Sequence, residues 1–94
     1  MTKAYAVAGE LLKVLSAPAR LAIVAELAQG PRCVHELVRH LEISQPLVSQ
    51  HLRVLRGARV VAAERRGRES VYTLVDHHVG HLVADAVRHA DEEP

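Results

Sequence analysis

The densest set of metal-type ligands in this 94-residue chain lies near its C-terminal end. There Asp76 and His78 form D-x-H, and His89 and Glu92 form H-x-x-E. Imidazole nitrogens and carboxylate oxygens are ordinary zinc ligands. On one helix His78 and His89, eleven residues apart, differ by only ~20° around the axis but by ~16 Å along it. Two ligands of one zinc lie ~4 Å apart, so a single chain cannot close this site. Two copies of the helix packed antiparallel can. Asp76 and His78 of one subunit then meet His89 and Glu92 of the other, and two-fold symmetry repeats the site. Two nitrogens and two oxygens suit tetrahedral Zn(II) and leave no open position for catalysis. Filling such a site changes the relation between subunits.

Other constellations compete. His81, Asp85 and His89 recur at i, i+4 and i+8, so neighbouring pairs can chelate an ion in a nickel- or cobalt-type arrangement. The plain alternative to both is a solvated, acidic helix end with surface histidines. Cys33 and His35 make a second soft pair. Helical residues two apart point to nearly opposite sides, so a joint site there needs a non-helical start; otherwise Cys33 is a small buried residue. His51 reads as a helix-packing or phosphate-contacting histidine.

The charge distribution marks a different surface. The whole chain is +1, yet residues 44–68 carry Arg53, Arg56, Arg59, Arg65, Arg66 and Arg68 against Glu64 alone, a net +5. Residues 75–94 carry Asp76, Asp85, Asp91, Glu92 and Glu93 against Arg88, a net −4. The first segment is a candidate for polyanions and the second for cations. Ser44, Gln45, Ser49 and Gln50 are short hydrogen-bonders fit for base edges, while Arg53 and Arg56 fit phosphates. Arg65, Arg66 and Arg68 fit backbone or an adjacent minor groove.

Hydrophobic periodicity supplies the elements that position these groups. Val7, Leu11, Leu12 and Leu15 recur at helical spacing and give a first helix from about Lys3 to Leu15. Ser16 caps and Pro18 opens a second, with Leu21, Val24, Ala25 and Leu27 inward, and Gly30-Pro31 ends it. A third spans roughly Cys33 to Leu41, with Val34, Leu37, Val38 and Leu41 as its stripe. Ser44 caps a fourth, Gln45 to about Arg56, with Val48, Leu52 and Leu55 inward. The period then falls to two: Val60–Arg65 and Glu69–Leu74 are strands joined through Arg66-Gly67-Arg68. Asp76 caps a last helix to about Ala90. The expected fold is mainly α with a β-hairpin, a winged helix-turn-helix that dimerises through its terminal helices.

Composition narrows the function. One domain covers 1–94, with the dimerisation and metal-sensing helix at 75–92. Hydrophobic residues are 49% and aromatic residues 2% of the chain, which argues against modules that stack bases on aromatic platforms. A single cysteine excludes a disulfide framework. No stretch approaches the ~18 apolar residues of a membrane span, so the chain reads as cytoplasmic, with no membrane and no small-molecule substrate. No general base or enclosing pocket can be argued, so it does not read as an enzyme.

Several runs carry a family resemblance. Leu15-Ser16-Ala17-Pro18-Ala19-Arg20-Leu21, Cys33-Val34-His35-Glu36-Leu37, Gln45-Pro46-Leu47-Val48-Ser49-Gln50-His51-Leu52 and Arg65-Arg66-Gly67-Arg68 leading to Val71-Tyr72-Thr73-Leu74 resemble the ArsR/SmtB metal-sensing repressors. The resemblance covers about residues 8–92 and is nearest to the zinc-sensing SmtB-like branch of actinobacteria. It implies a homodimer that binds a double-stranded operator inverted repeat and releases it on binding Zn(II), with Asp76, His78, His89 and Glu92 as ligands. The family's thiolate site has Cys-x-Cys, whereas here the second position is His35, which speaks against arsenic, lead or cadmium sensing. Relatives commonly place glycine where Arg59 stands; here Gly57 comes two residues earlier, so the turn is either rebuilt or strained at Arg59. Two rival functions stay open: a metal-independent winged-helix regulator triggered by a protein partner, and a nickel or cobalt sensor using His81 and Asp85.

Overall fold

The computed structural model describes residues 1–92. In chain order it comprises α1 (Lys3–Val14), α2 (Pro18–Leu27), β1 (Arg32–Cys33), α3 (Val34–Leu41), α4 (Gln45–Gly57), β2 (Val61–Arg66), β3 (Glu69–Leu74) and α5 (His77–Asp91). It is a mainly helical fold with an antiparallel sheet in the order β1-β3-β2.

The core is built where apolar stripes of different elements converge. Ile23, Val24 and Leu27 of α2, Leu37 of α3, Val48, Leu52 and Leu55 of α4, Val61 of β2 and Val83 of α5 are all buried together. Each such aliphatic side chain contributes roughly 1.5–3 kcal/mol by leaving water. A residue without a Cβ brings α5 close. A methyl added at Gly80 would meet Leu74 Cδ1 at 3.2 Å and the Ala28 Cβ at 3.3 Å. Glycine here lets the head of α5, with Asp76 and His78, sit tightly on α2 and β3.

Several local expectations need correction. Ser16 does not cap α2: its hydroxyl donates to the Lys13 carbonyl at 2.7 Å and closes α1, while Ala17 is the N-cap and Pro18 opens the helix. Ala25 is exposed, and Ile23 takes its place in the core. Cys33 is not helical. It pairs with Val71 in β1 and forms the extended N-cap of α3, which adds a third strand to the expected hairpin. Val7 and Leu12 of α1 are 58% and 53% exposed, and none of that helix's twelve residues is buried. Its Leu11 and Val14 only flank the core.

The turn between α3 and α4 is short because Glu42 adopts the left-handed conformation, φ 56°. The hairpin β2–β3 closes through Gly67 and Arg68, with Arg66 opposite Glu69 and Gly67 at φ 63°, a value that suits glycine. The end of α4 is less ordinary. Val60 N–H donates to the Leu55 carbonyl at 2.9 Å and Arg59 N–H to the Arg56 carbonyl at 3.0 Å. These are the two bonds of a Schellman cap, with Arg59 in the left-handed position at φ 62°.

Candidate metal and nucleic-acid sites

At the head of α5 the Asp76 carboxylate is the helix cap: Oδ1 accepts from His78 N–H at 2.9 Å and Val79 N–H at 3.4 Å. The His78 ring lies against the same oxygen, Nδ1 to Oδ1 3.5 Å, and both side chains are largely exposed. Two of the four expected last-helix ligands thus come together within one chain. His89 and Glu92 lie at the far end of α5, exposed, with Glu92 as the C-cap. At 1.5 Å per residue that end is ~16 Å from His78, as the spacing requires. His78, Leu82, Ala86 and His89 fall on one side of the helix at 100° per residue, and Leu82 on that side is 40% exposed. An apolar patch therefore separates the two ligand-bearing ends. On the rival stripe, Asp85 is ion-paired with Arg88 and the His81 ring meets His77 edge-on, centroids 5.3 Å apart.

The expected Cys33–His35 pair finds the non-helical start it requires. Cys33 is buried in β1 and His35 lies one residue inside α3. Glu69 joins them: the Cys33 Sγ, a His35 ring nitrogen and a Glu69 carboxylate oxygen all lie within 4.8 Å of one another. It is the single three-donor grouping of this kind among the described residues. Glu69 escaped sequence reasoning because it is 34 positions away and its partner strand was missed. Glu36 is committed elsewhere, since its Oε1 accepts from the Cys33 amide at 2.9 Å. That backbone bond, followed by the Cys33 side chain, holds the Glu36 carboxyl below the usual carboxylate range.

The arginine-rich surface is laid out on α4 and the hairpin. Ser44, Gln45, Gln50, Arg53 and Arg56 are exposed and Ser49 is half-buried. Ser44 also serves α4 as its N-cap, and a proline stands in the first turn. On the hairpin, Arg66 is ion-paired with Glu64 at 2.9 Å, whereas Arg65 donates to the Gly67 carbonyl at 3.2 Å. No hydrogen bond or ion pair engages the Arg68 guanidinium among the described residues. His51 packs rather than projecting: its Nδ1 accepts from Arg20 Nε at 3.2 Å, and Arg20 Nη1 also donates to the Val14 carbonyl at 2.9 Å. Arg20 thereby joins the end of α1 to the middle of α4, a link no local pattern reveals.

Helices α3 and α4 joined by a tight turn, followed by a two-stranded wing, define a winged helix-turn-helix protein. The chain belongs to the arsR family of bacterial regulatory proteins, whose model matches residues 17–63. The transcriptional repressor SmtB of Mycobacterium tuberculosis is 59% identical over 86 residues, covering 92% of this chain. The chain in turn spans 64% of that repressor's length. Among solved structures, HlyU from Vibrio cholerae superposes with a TM-score of 0.85 at 34% identity, covering 94% of this chain and 96% of HlyU. Mb0332 from Mycobacterium bovis, solved as a homodimeric winged helix-turn-helix DNA-binding domain, gives a TM-score of 0.81 at 27% identity over 98% of this chain and 89% of that one. Among the described residues no helix is long and apolar enough to cross a membrane.

Proposed function

We propose that this chain is a homodimeric transcriptional repressor that binds an operator inverted repeat and releases it when Zn(II) occupies two symmetric inter-subunit sites. The observation that carries the reading is the layout of α5. Asp76 and His78 are already paired at one end, His89 and Glu92 share the other, and exposed Leu82 lies between them. Antiparallel packing on that patch buries Leu82 and brings each pair against the complementary pair of the partner subunit. The donor set of two imidazoles and two carboxylates fits Zn(II). The bound ion supplies a bridge between the two α5 helices, and with it a fixed relation between the two α4 helices. Similarity to a protein named as a repressor supports the DNA-binding part, and the homodimeric relative supports the assembly.

On DNA, α4 enters the major groove with Ser44, Gln45, Ser49 and Gln50 toward base edges and Arg53 and Arg56 toward phosphates. Arg65, Arg66 and Arg68 on the wing reach backbone or the neighbouring minor groove. The test is fluorescence anisotropy on a labelled inverted-repeat duplex titrated with Zn(II), wild type beside His89→Ala. Zinc is expected to lift the wild type from DNA and leave the variant bound. If both proteins bind DNA and ignore zinc, the last-helix site is not the sensor.

A further inference from the structure

We infer that Arg20 and His51 are positioning residues for DNA binding: the neutral His51 imidazole holds the DNA-reading helix α4 in place by accepting from the Arg20 guanidinium, and its protonation releases the helix. This role rests on the operator-binding part of the proposed function and is independent of the zinc part.

Three apolar side chains, Val48, Leu52 and Leu55, press α4 onto the core. Hydrophobic burial is non-directional, so these contacts set the depth of the helix more firmly than its rotation about its own axis. A hydrogen bond has the angular demand they lack. Among the described residues one side-chain hydrogen bond joins α4 to another element, from Arg20 Nε in α2 to His51 Nδ1 at 3.2 Å. The same guanidinium is anchored through Nη1 to the Val14 carbonyl at the end of α1, at 2.9 Å, so it does not follow α4 freely. Both side chains are half-buried, where less water competes for the bond. Ser49 and Gln50, two of the residues placed toward base edges, immediately precede His51. The angle at which the bond holds α4 is therefore the angle at which they meet DNA.

The bond dictates the state of the ring. A guanidinium only donates and does not lose its proton in proteins, so His51 Nδ1 must present a lone pair and the neutral ring carries its proton on Nε2. A proton taken from solvent onto Nδ1 turns the acceptor into a donor and sets two cations 3.2 Å apart, and the bond is lost. Nothing within reach offsets that change. On α4 the positions one turn away, Leu47, Val48, Val54 and Leu55, are all apolar. From α2 the charged group facing the ring is Arg20 itself, and α1 meets the pair through the uncharged Val14 carbonyl. Among the described residues no carboxylate is ion-paired with His51. Imidazoles change charge between about pH 5 and about pH 8, so the tie is complete at the alkaline end of that window and lost toward the acid end.

The test reads affinity for the inverted-repeat duplex against pH with all metal chelated, wild type beside His51→Asn. The asparagine carbonyl oxygen stands next to Cγ, as Nδ1 does, and accepts without titrating. Acidification gives the six other histidines positive charge, which tightens binding to a polyanion in both proteins; the acceptor is lost in wild type alone. Between about pH 7.5 and about pH 5.5 the affinity of wild type relative to His51→Asn is expected to fall at least about fivefold. A relative affinity that does not change with pH overturns the proposal. NMR of the isotope-labelled protein without DNA reads the bond itself. At about pH 7.5 His51 is expected as the Nε2–H tautomer, with an Arg20 Nε–H protected from exchange that loses its protection in His51→Leu. The Nδ1–H tautomer, or an Arg20 signal indifferent to His51→Leu, equally overturns it. Wild type that shows the tautomer yet binds no inverted repeat at either pH overturns the operator reading, and with it the role in DNA binding, while the tie itself stands.

Discussion

Arg59 shows how one residue can satisfy a hydrogen-bond pattern and still strain the backbone. Its N–H and that of Val60 complete the Schellman cap of α4, and Val60 and Leu55 are buried beside one another as that cap favours. Yet a Cβ at φ 62° crowds the carbonyl and costs about 1 kcal/mol or more. Gly57, two residues earlier, is helical and a Cβ there meets nothing within 4 Å, so its freedom is wasted. Exchanging the roles should help on both counts. Gly57→Ala is expected to raise stability by about 0.5–1 kcal/mol. Arg59→Gly should add about 0.5 kcal/mol, since relief of strain is partly offset by the looser unfolded chain. Thermal melting of the single and double variants checks this, with an expected rise of several degrees for the pair. A fall in Arg59→Gly would mean that the guanidinium contributes more than the strain removes. The displaced glycine was visible in the sequence; which of the two residues would bend was settled by α4 running on through Gly57.

The first four helices, the two-stranded wing and the last helix follow from apolar spacing, even though α1 buries none of its residues within one chain. β1 does not. Two residues carry no period, and Arg32–Cys33 is a strand only because β3 lies alongside. Missing it hid the Cys33–Glu69 approach, and with it the third donor of that cluster. Side-chain links such as Arg20–His51 were hidden for the same reason: long-range pairing leaves no local trace. At this scale α4 and the wing should contribute differently to DNA affinity. Arg53→Ala or Arg56→Ala is expected to weaken binding across sequences and to lower the salt slope by about 1 each. Arg66 is paired with Glu64 on an exposed surface, a pairing worth little by itself. Glu64→Gln frees that guanidinium and removes one of the hairpin's two acidic charges, the other being Glu69. Binding should tighten, most clearly at low salt, as measured by anisotropy over a salt series. Unchanged affinity in Glu64→Gln would place the wing tip away from the duplex.

Surface and shape together bear on the assembly. A compact monomer of this mass exposes about 5,400 Å², whereas this chain exposes 6690 Å². Its radius of gyration is 13.7 Å, against about 12.4 Å for a globule of this length. Exposed large apolar side chains include Tyr5 and Leu12, ~20° apart around α1, and Leu82 and Val87 of α5. Apolar side chains left exposed on the two terminal helices are what a two-fold partner would cover. Leu82→Glu tests this without touching a ligand or a core residue, because the side chain lies on the open side of α5. It is expected to shift sedimentation from a dimer to a monomer at micromolar concentration. The melting temperature should lose its dependence on protein concentration. Since each zinc site on the proposed reading draws ligands from both subunits, the same variant should also lose its zinc response on DNA while retaining His78 and His89. A monomeric variant that still answered zinc would place the sensing site inside one chain, and Cys33, His35 and Glu69 would then be its first candidates.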